Sequence, residues 1–167
     1  NFGPGGFFNG NQHLIFDAYE NLLIKSAVFY ADNPTIVTFE LRNNMGIVID
    51  DTTHSLISGQ QQLILNFDTP IGNDFQLGIS SGNSDLYRND DNAVYPYNIG
   101  SIMSITNSSA GSSGYYYFYY NIEVEVPCEN ILTGINELYS NRKLLKIVDV
   151  LGRITNSKAK TPLFYIY

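Results

Sequence analysis

From His13 to Val126 the chain is cut about every ten residues into short runs of alternating apolar and polar side chains, each closed by Gly, Asn, Asp or Pro. No segment holds a convincing helical period, so the pattern points to strands. The predicted strands are His13–Tyr19, Leu22–Ala31, Thr35–Arg42, Gly46–Asp51, Gln60–Phe67, Asp74–Ser80, Asp85–Arg88, Gly100–Thr106 and Tyr115–Val126. A period of two puts alternate side chains on opposite faces. Val37, Phe39 and Leu41 therefore share one side, as do Leu63, Leu65 and Phe67, and Phe75, Leu77 and Ile79. Thr38, Glu40, Arg42, Gln62 and Asn66 face the other way. In "RNNMGI", Gly46 is free to take a positive φ and close a tight turn between the third and fourth runs. Short strands with one apolar face each bury those faces by stacking sheet on sheet. The expected fold is all-β: an antiparallel two-sheet β-sandwich, jelly-roll-like, with a short β appendage at the C-terminus.

At 167 residues, 44% of them hydrophobic, the chain can build the core of one medium domain. A single cysteine, Cys128, permits no internal disulfide, and the plain expectation for it is a small buried apolar residue. Thirteen Tyr, fourteen Gly and only 15% charged residues suit an extracellular β protein. No apolar run reaches the roughly 18 residues of a membrane span. The opening "NFGPGGFFNGNQ" lacks the charged start and apolar middle of a signal peptide, so the chain reads as mature or cut from a longer precursor.

The net charge of −7 is unevenly spread: three basic and thirteen acidic residues precede Pro127, six basic and three acidic follow from it. An acidic body repels phosphates and argues against nucleic acid as a partner. The change of sign marks a boundary near "VPCEN". The expected organisation is a linker or arm over 1–12, the sandwich module over 13–127 and the appendage over 128–167. Within the last, "ILTGINELYSN" has room for a turn of helix, weakened by Gly134.

The stretch "GYYYFYYNIEVEVP", Gly114–Pro127, sets six aromatics in a row before a strict alternation. Alternation carried back from Val126 assigns Val124, Ile122, Tyr120, Phe118 and Tyr116 to the core face. It leaves Tyr115, Tyr117 and Tyr119 on the other, as a flat ridge about 13 Å long at roughly 3.3 Å per residue. Such a ridge can stack on sugar rings and offer phenol hydroxyls to them. Packing across strands, or under "GGFFNG" or the appendage, is the competing reading.

A second cluster is the long Asn-, Asp- and Tyr-rich connection from Ser81 to Gly100. Asp85, Asp90 and Asp91, with Asn89 and Asn92, supply the hard oxygen ligands that calcium takes, although the spacing is not that of an EF-hand and a solvated acidic loop is the commoner outcome. Tyr87, Arg88, Tyr95 and Tyr97 are candidates to line a glycan or protein site. Catalysis finds little support. His13 and His54 show no zinc-ligand spacing, no nucleophile elbow or phosphate loop appears, and Asp50–Asp51 follows a strand end where solvated acids are ordinary. "NSS" at Asn107 matches a glycosylation sequon.

The C-terminal "NRKLLKIVDVLGRITNSKAKTPLFYIY" resembles the type A C-terminal sorting domain of type IX secretion cargo from Bacteroidota. In that family a strand ends in a "D-x-L-G-R" turn, matched by Asp149, Leu151, Gly152 and Arg153. A strand like "TPLFYIY" follows, carrying Pro162 and Tyr165. Family members continue into a final Lys- and Ile-rich strand, whereas the sequence here ends at Tyr167, so a partial sorting domain is expected. The competing reading makes these two closing strands of the sandwich. The pieces "TFELRNNMGIVI", "QLILNFDTPIGNDFQLGIS", "LYRND", "YPYNIGSIMSIT" and "YYYFYYNIEVEV" resemble a module found beside that signal in large secreted Bacteroidota proteins. The resemblance implies a secreted or outer-surface location, with the type IX translocon and its outer-membrane shuttle protein as partners. It also implies a non-catalytic sandwich; the tyrosine ridge and the Ser81–Gly100 connection, not the resemblance, point to a polysaccharide or a cell-surface protein as its ligand. The alternative is an adhesin or structural subunit that contacts neighbouring copies. No cofactor is expected, calcium aside.

Overall fold

The computed structural model of the protein describes residues 3–80, 84–111, 114–127, 145–155 and 163–166. Every regular element it describes is a strand. In chain order they are β1 (Gly5–Phe8), β2 (Leu14–Ala18), β3 (Leu22–Ala31), β4 (Thr35–Arg42), β5 (Val48–Leu56), β6 (Gly59–Thr69) and β7 (Gly72–Ile79). Then follow β8 (Leu86–Ala93), β9 (Tyr97–Ile99), β10 (Met103–Ser108), β11 (Gly114–Tyr117), β12 (Tyr120–Glu125), β13 (Lys146–Asp149) and β14 (Leu163–Ile166). Among the described residues no helix is long and apolar enough to cross a membrane. The chain divides into two compact units, Asn1–Cys128 and Glu129–Tyr167.

The first unit holds two six-stranded antiparallel sheets. One is built on β3, which pairs with β6 from Leu22↔Thr69 to Ala31↔Gly59 and with β12 from Tyr120↔Val28 to Glu125↔Leu23. At its far end Ala31 meets Leu86 of β8, and β8 in turn carries β1 and β11. The other sheet runs β5-β4-β7-β2-β10-β9. The alternation that predicts the strands also fills the space between the sheets. Ile24, Phe29, Leu65 and Phe67 from the first join Phe16, Phe39, Leu41, Leu77 and Ile79 from the second in one buried cluster. The arrangement is that of a β-sandwich-like fold.

The "RNNMGI" turn forms as its glycine suggests. Gly46 has φ +77°, its N–H donates to the Asn43 carbonyl, and the Asn43 N–H donates to that of Ile47. Where β5 and β6 leave one sheet for the other, the ring Nε2 of His54 donates to the Ile64 carbonyl at 2.9 Å and ties the two edges together. In the first unit two strands fall outside the predicted runs. β1 is a Gly-Gly-Phe-Phe edge within the segment read as an arm, and it pairs with β8 through Gly5↔Asn89 to Phe8↔Leu86. β9 is only three residues long and pairs with β10. The predicted Asp85–Arg88 run continues as strand through the acidic segment to Ala93, because β1 and β11 both hydrogen-bond to it.

In the second unit β13 pairs with β14 from Lys146↔Ile166 to Asp149↔Leu163. Gly152 turns the chain at φ +77°, and Ile154 returns to bridge Val148. Cys128, "ILTGINELYSN" and Pro162 lie outside the described residues, as does the side chain of Asp149.

Candidate functional site

The aromatic stretch is not one continuous strand. The Tyr119 N–H donates to the Tyr117 carbonyl at 2.8 Å, closing a three-residue turn around Phe118, whose φ of +63° is rare for a bulky side chain. This turn separates β11 from β12 and breaks the alternation. Tyr117, Phe118 and Tyr119 are 3%, 1% and 0% exposed, so three consecutive rings enter the core. Tyr119 packs against Phe29 at 5.0 Å and Phe39 at 5.9 Å, and its hydroxyl donates to the Gly78 carbonyl. The expected exposed ridge of Tyr115, Tyr117 and Tyr119 is thereby corrected: two of the three are core residues. Tyr115 is half-buried and stacks on Tyr117 at 6.0 Å. Tyr120, assigned by parity to the core, lies half-buried against Tyr30 at 5.5 Å and Tyr87 at 6.5 Å.

Tyr87 and Arg88, neighbours on β8, point opposite ways as strand residues must. Tyr87 meets Phe7 edge-on at 5.6 Å and donates its hydroxyl to the Gly3 carbonyl. The Arg88 guanidinium instead lies among Phe8, Tyr115 and Tyr117, with its carbon 4.4, 4.8 and 5.8 Å from the ring centres. The two therefore line no common site. Tyr95 and Tyr97 do come together, edge to face at 5.4 Å. Tyr95 also stacks on Tyr116 and donates to the Tyr115 carbonyl at 2.6 Å.

Tyr97 and Tyr116 open the way to the site. They line a cavity of about 460 Å³ with Tyr120, Gly3, the apolar Ile99, Ile105 and Ile122, and the polar Asn89, Asp91, Asn92 and Asn121. Its volume is that of a small-molecule pocket, about 300–1,000 Å³. β8, β11 and β12 come from one sheet, β9 and β10 from the other, and β12 and β9 end their respective strand orders. The cavity thus spans the edges of both layers. Tyr97 and Tyr116 stand perpendicular, at 89° with centres 5.6 Å apart, and Tyr120 lies 5.5 Å beyond Tyr116. The Tyr120 hydroxyl donates to Asn89 Oδ1 at 2.9 Å and so orients that amide.

Burial governs the electrostatics here. It pushes the Tyr95 phenol up to about 12, and it holds Tyr116 and Tyr120 well above the ordinary tyrosine range, with neighbouring tyrosines adding to each shift. These hydroxyls remain neutral donors at any physiological pH. Asp91 is the sole charged side chain among the described lining residues.

Among the described residues no group of three or more His, Cys, Asp and Glu comes together as a metal site, and Asp85, Asp90 and Asp91 form no such group. The Asp85 N–H is taken by Asn9 Oδ1, and Asp91 Oδ1 accepts the Asn92 N–H. His13 is half-buried, and burial with the Arg42 charge lowers its pKa. In the second unit Leu151 and Arg153 are exposed around Gly152, and Tyr165 lies on β14, also exposed. Asn107 of the sequon is exposed as well.

Tyr97, a candidate for a glycan or protein site, and Asp91, a candidate calcium ligand, both line the cavity, whereas the isoleucine lining and the contact of Tyr116 with Tyr120 carry no motif in the sequence. The density of Tyr and Asn between Asp85 and Ile122 was the available signal. Comparison with protein-family models, with curated proteins and with solved structures finds no match for the chain.

Proposed function

We propose that the first unit is a non-catalytic carbohydrate-binding module with jelly-roll connectivity, carried by a secreted or surface-displayed bacterial protein. The second unit serves its export by the type IX pathway. The observation that carries the binding reading is the cavity at Tyr97, Tyr116 and Tyr120, where aromatic rings and side-chain amides converge. Sugars present C–H faces to rings and hydroxyls to amides, and this lining offers both. The export reading rests on the "DVLGR" turn and the paired strands around it.

Affinity electrophoresis and glycan arrays test the module. The full chain is expected to bind a member of a broad panel, and Tyr97→Ala to lose about tenfold in affinity, the worth of one good aromatic contact. Gln62→Ala, exposed on β6, is the control and should change nothing. Failure to bind across the panel sinks the reading. For the export role, removal of 129–167 should retain the protein inside a type IX-competent cell.

One observation favours the adhesin reading: Met45, Ile47, Val48 and Ile49 are all exposed at the β4–β5 turn, where β5 is a sheet edge. Concentration-dependent assembly without sugar affinity would support it.

A further inference from the structure

We propose that the cavity takes a single neutral sugar ring bearing a methyl group, which seats against Ile99, Ile105 and Ile122. The inference rests on the carbohydrate reading above and narrows it. Tyr97 and Tyr116 meet at 89°, so they form a corner. A corner holds one compact ring, whereas a polysaccharide chain lies along rings that share a plane.

The lining selects against charge. Asp91 repels carboxylates and sulfates, and no lysine or arginine is among the described lining residues to attract them. The amides of Asn92 and Asn121 offer donors and acceptors together, as hydroxyls require. The Tyr97 hydroxyl accepts the Val94 N–H at 2.9 Å and keeps its own proton for a ligand.

The isoleucines decide the rest. A hexose with a hydroxyl on every available carbon would press one against an apolar wall, where it finds no partner and costs binding. A methyl group loses nothing there and gains about fourfold in affinity on burial. Two kinds of sugar supply it, 6-deoxyhexoses and N-acetylhexosamines.

Titration of the full chain, followed by calorimetry or saturation-transfer NMR, tests this with fucose, rhamnose, N-acetylglucosamine, N-acetylgalactosamine, glucose, galactose and glucuronate. Fucose and rhamnose, or the two N-acetyl sugars, are expected to bind at least about fourfold tighter than glucose and galactose, with glucuronate weakest. Which pair leads identifies the source of the methyl. Ile122→Thr puts a hydroxyl into that wall and should remove the preference by strengthening glucose and weakening the methyl-bearing sugars; if that variant does not fold, the unaltered chain's ranking decides. Equal binding of methyl-bearing and plain sugars overturns the inference and leaves the carbohydrate reading standing. Binding of long polysaccharides alone overturns the single-ring geometry. Absence of binding by any sugar overturns both.

Discussion

Gly5 sits so close to β8 that a Cβ added to it would lie 2.0 Å from the Arg88 carbonyl oxygen, a backbone atom that cannot step aside. At Gly6, one residue on, the same Cβ would meet nothing within 4 Å. Gly5→Ala should therefore cost about 1–3 kcal/mol, as overpacking does, and Gly6→Ala less than about 0.5. Urea unfolding of both variants measures the difference, and equal stabilities would mean β1 is not seated as described. Tyr119 makes the opposite point. Parity along the chain assigns it to the surface, where an alanine would be nearly free. Its complete burial against Phe29 and Phe39 predicts a loss of about 3–5 kcal/mol for Tyr119→Ala. Denaturant midpoints decide between the two.

Among the elements, the β11–β12 junction is where the local rule fails. A two-residue period holds while backbone angles stay extended, and Phe118 at φ +63° is not extended. The turn it makes swings three rings inward and leaves Tyr116 and Tyr120 beside one cavity. A left-handed position costs an L-residue about 1–2 kcal/mol, a cost glycine escapes. Phe118→Gly should accordingly be more stable than Phe118→Ala by about 1 kcal/mol, although both lose the ring. Inside a regular strand the order would be reversed. Thermal denaturation of the pair reads the sign directly. Elsewhere the rule serves well: β4 runs as its alternation predicts, with Val37, Phe39 and Leu41 all buried. β1 and β9 were illegible because Gly-Gly-Phe-Phe and Tyr-Asn-Ile carry no period; each is a strand because a neighbour pairs with it.

For the whole molecule, buried ionisable groups set the limits of stability in pH. Burial raises Tyr95, Tyr116, Tyr117, Tyr119 and Tyr120 above the ordinary value of 10. An unfolded chain gives up those protons near pH 10 and the folded chain does not, so their contribution is whole below pH 10 and is lost progressively above it. His13 acts at the other limit. Its pKa is lowered from 6.5, so below that pH the unfolded chain gains a proton the folded one resists, and stability falls. Melting temperature should be level between about pH 7 and 9.5 and drop on both sides. Tyrosinate absorbance should show these five rings titrating together with unfolding; smooth titration near pH 10 while the fold persists would contradict their burial. The sequence by itself determined the strand character of the described residues and the apolar faces of β4, β6 and β7, because alternation is a local property written in adjacent residues. Only the tertiary structure decided which tyrosines are core and where the cavity lies. The Phe118 turn and the meeting of β8 to β12 across two sheets depend on contacts between residues far apart in the chain, and such contacts leave no period to read.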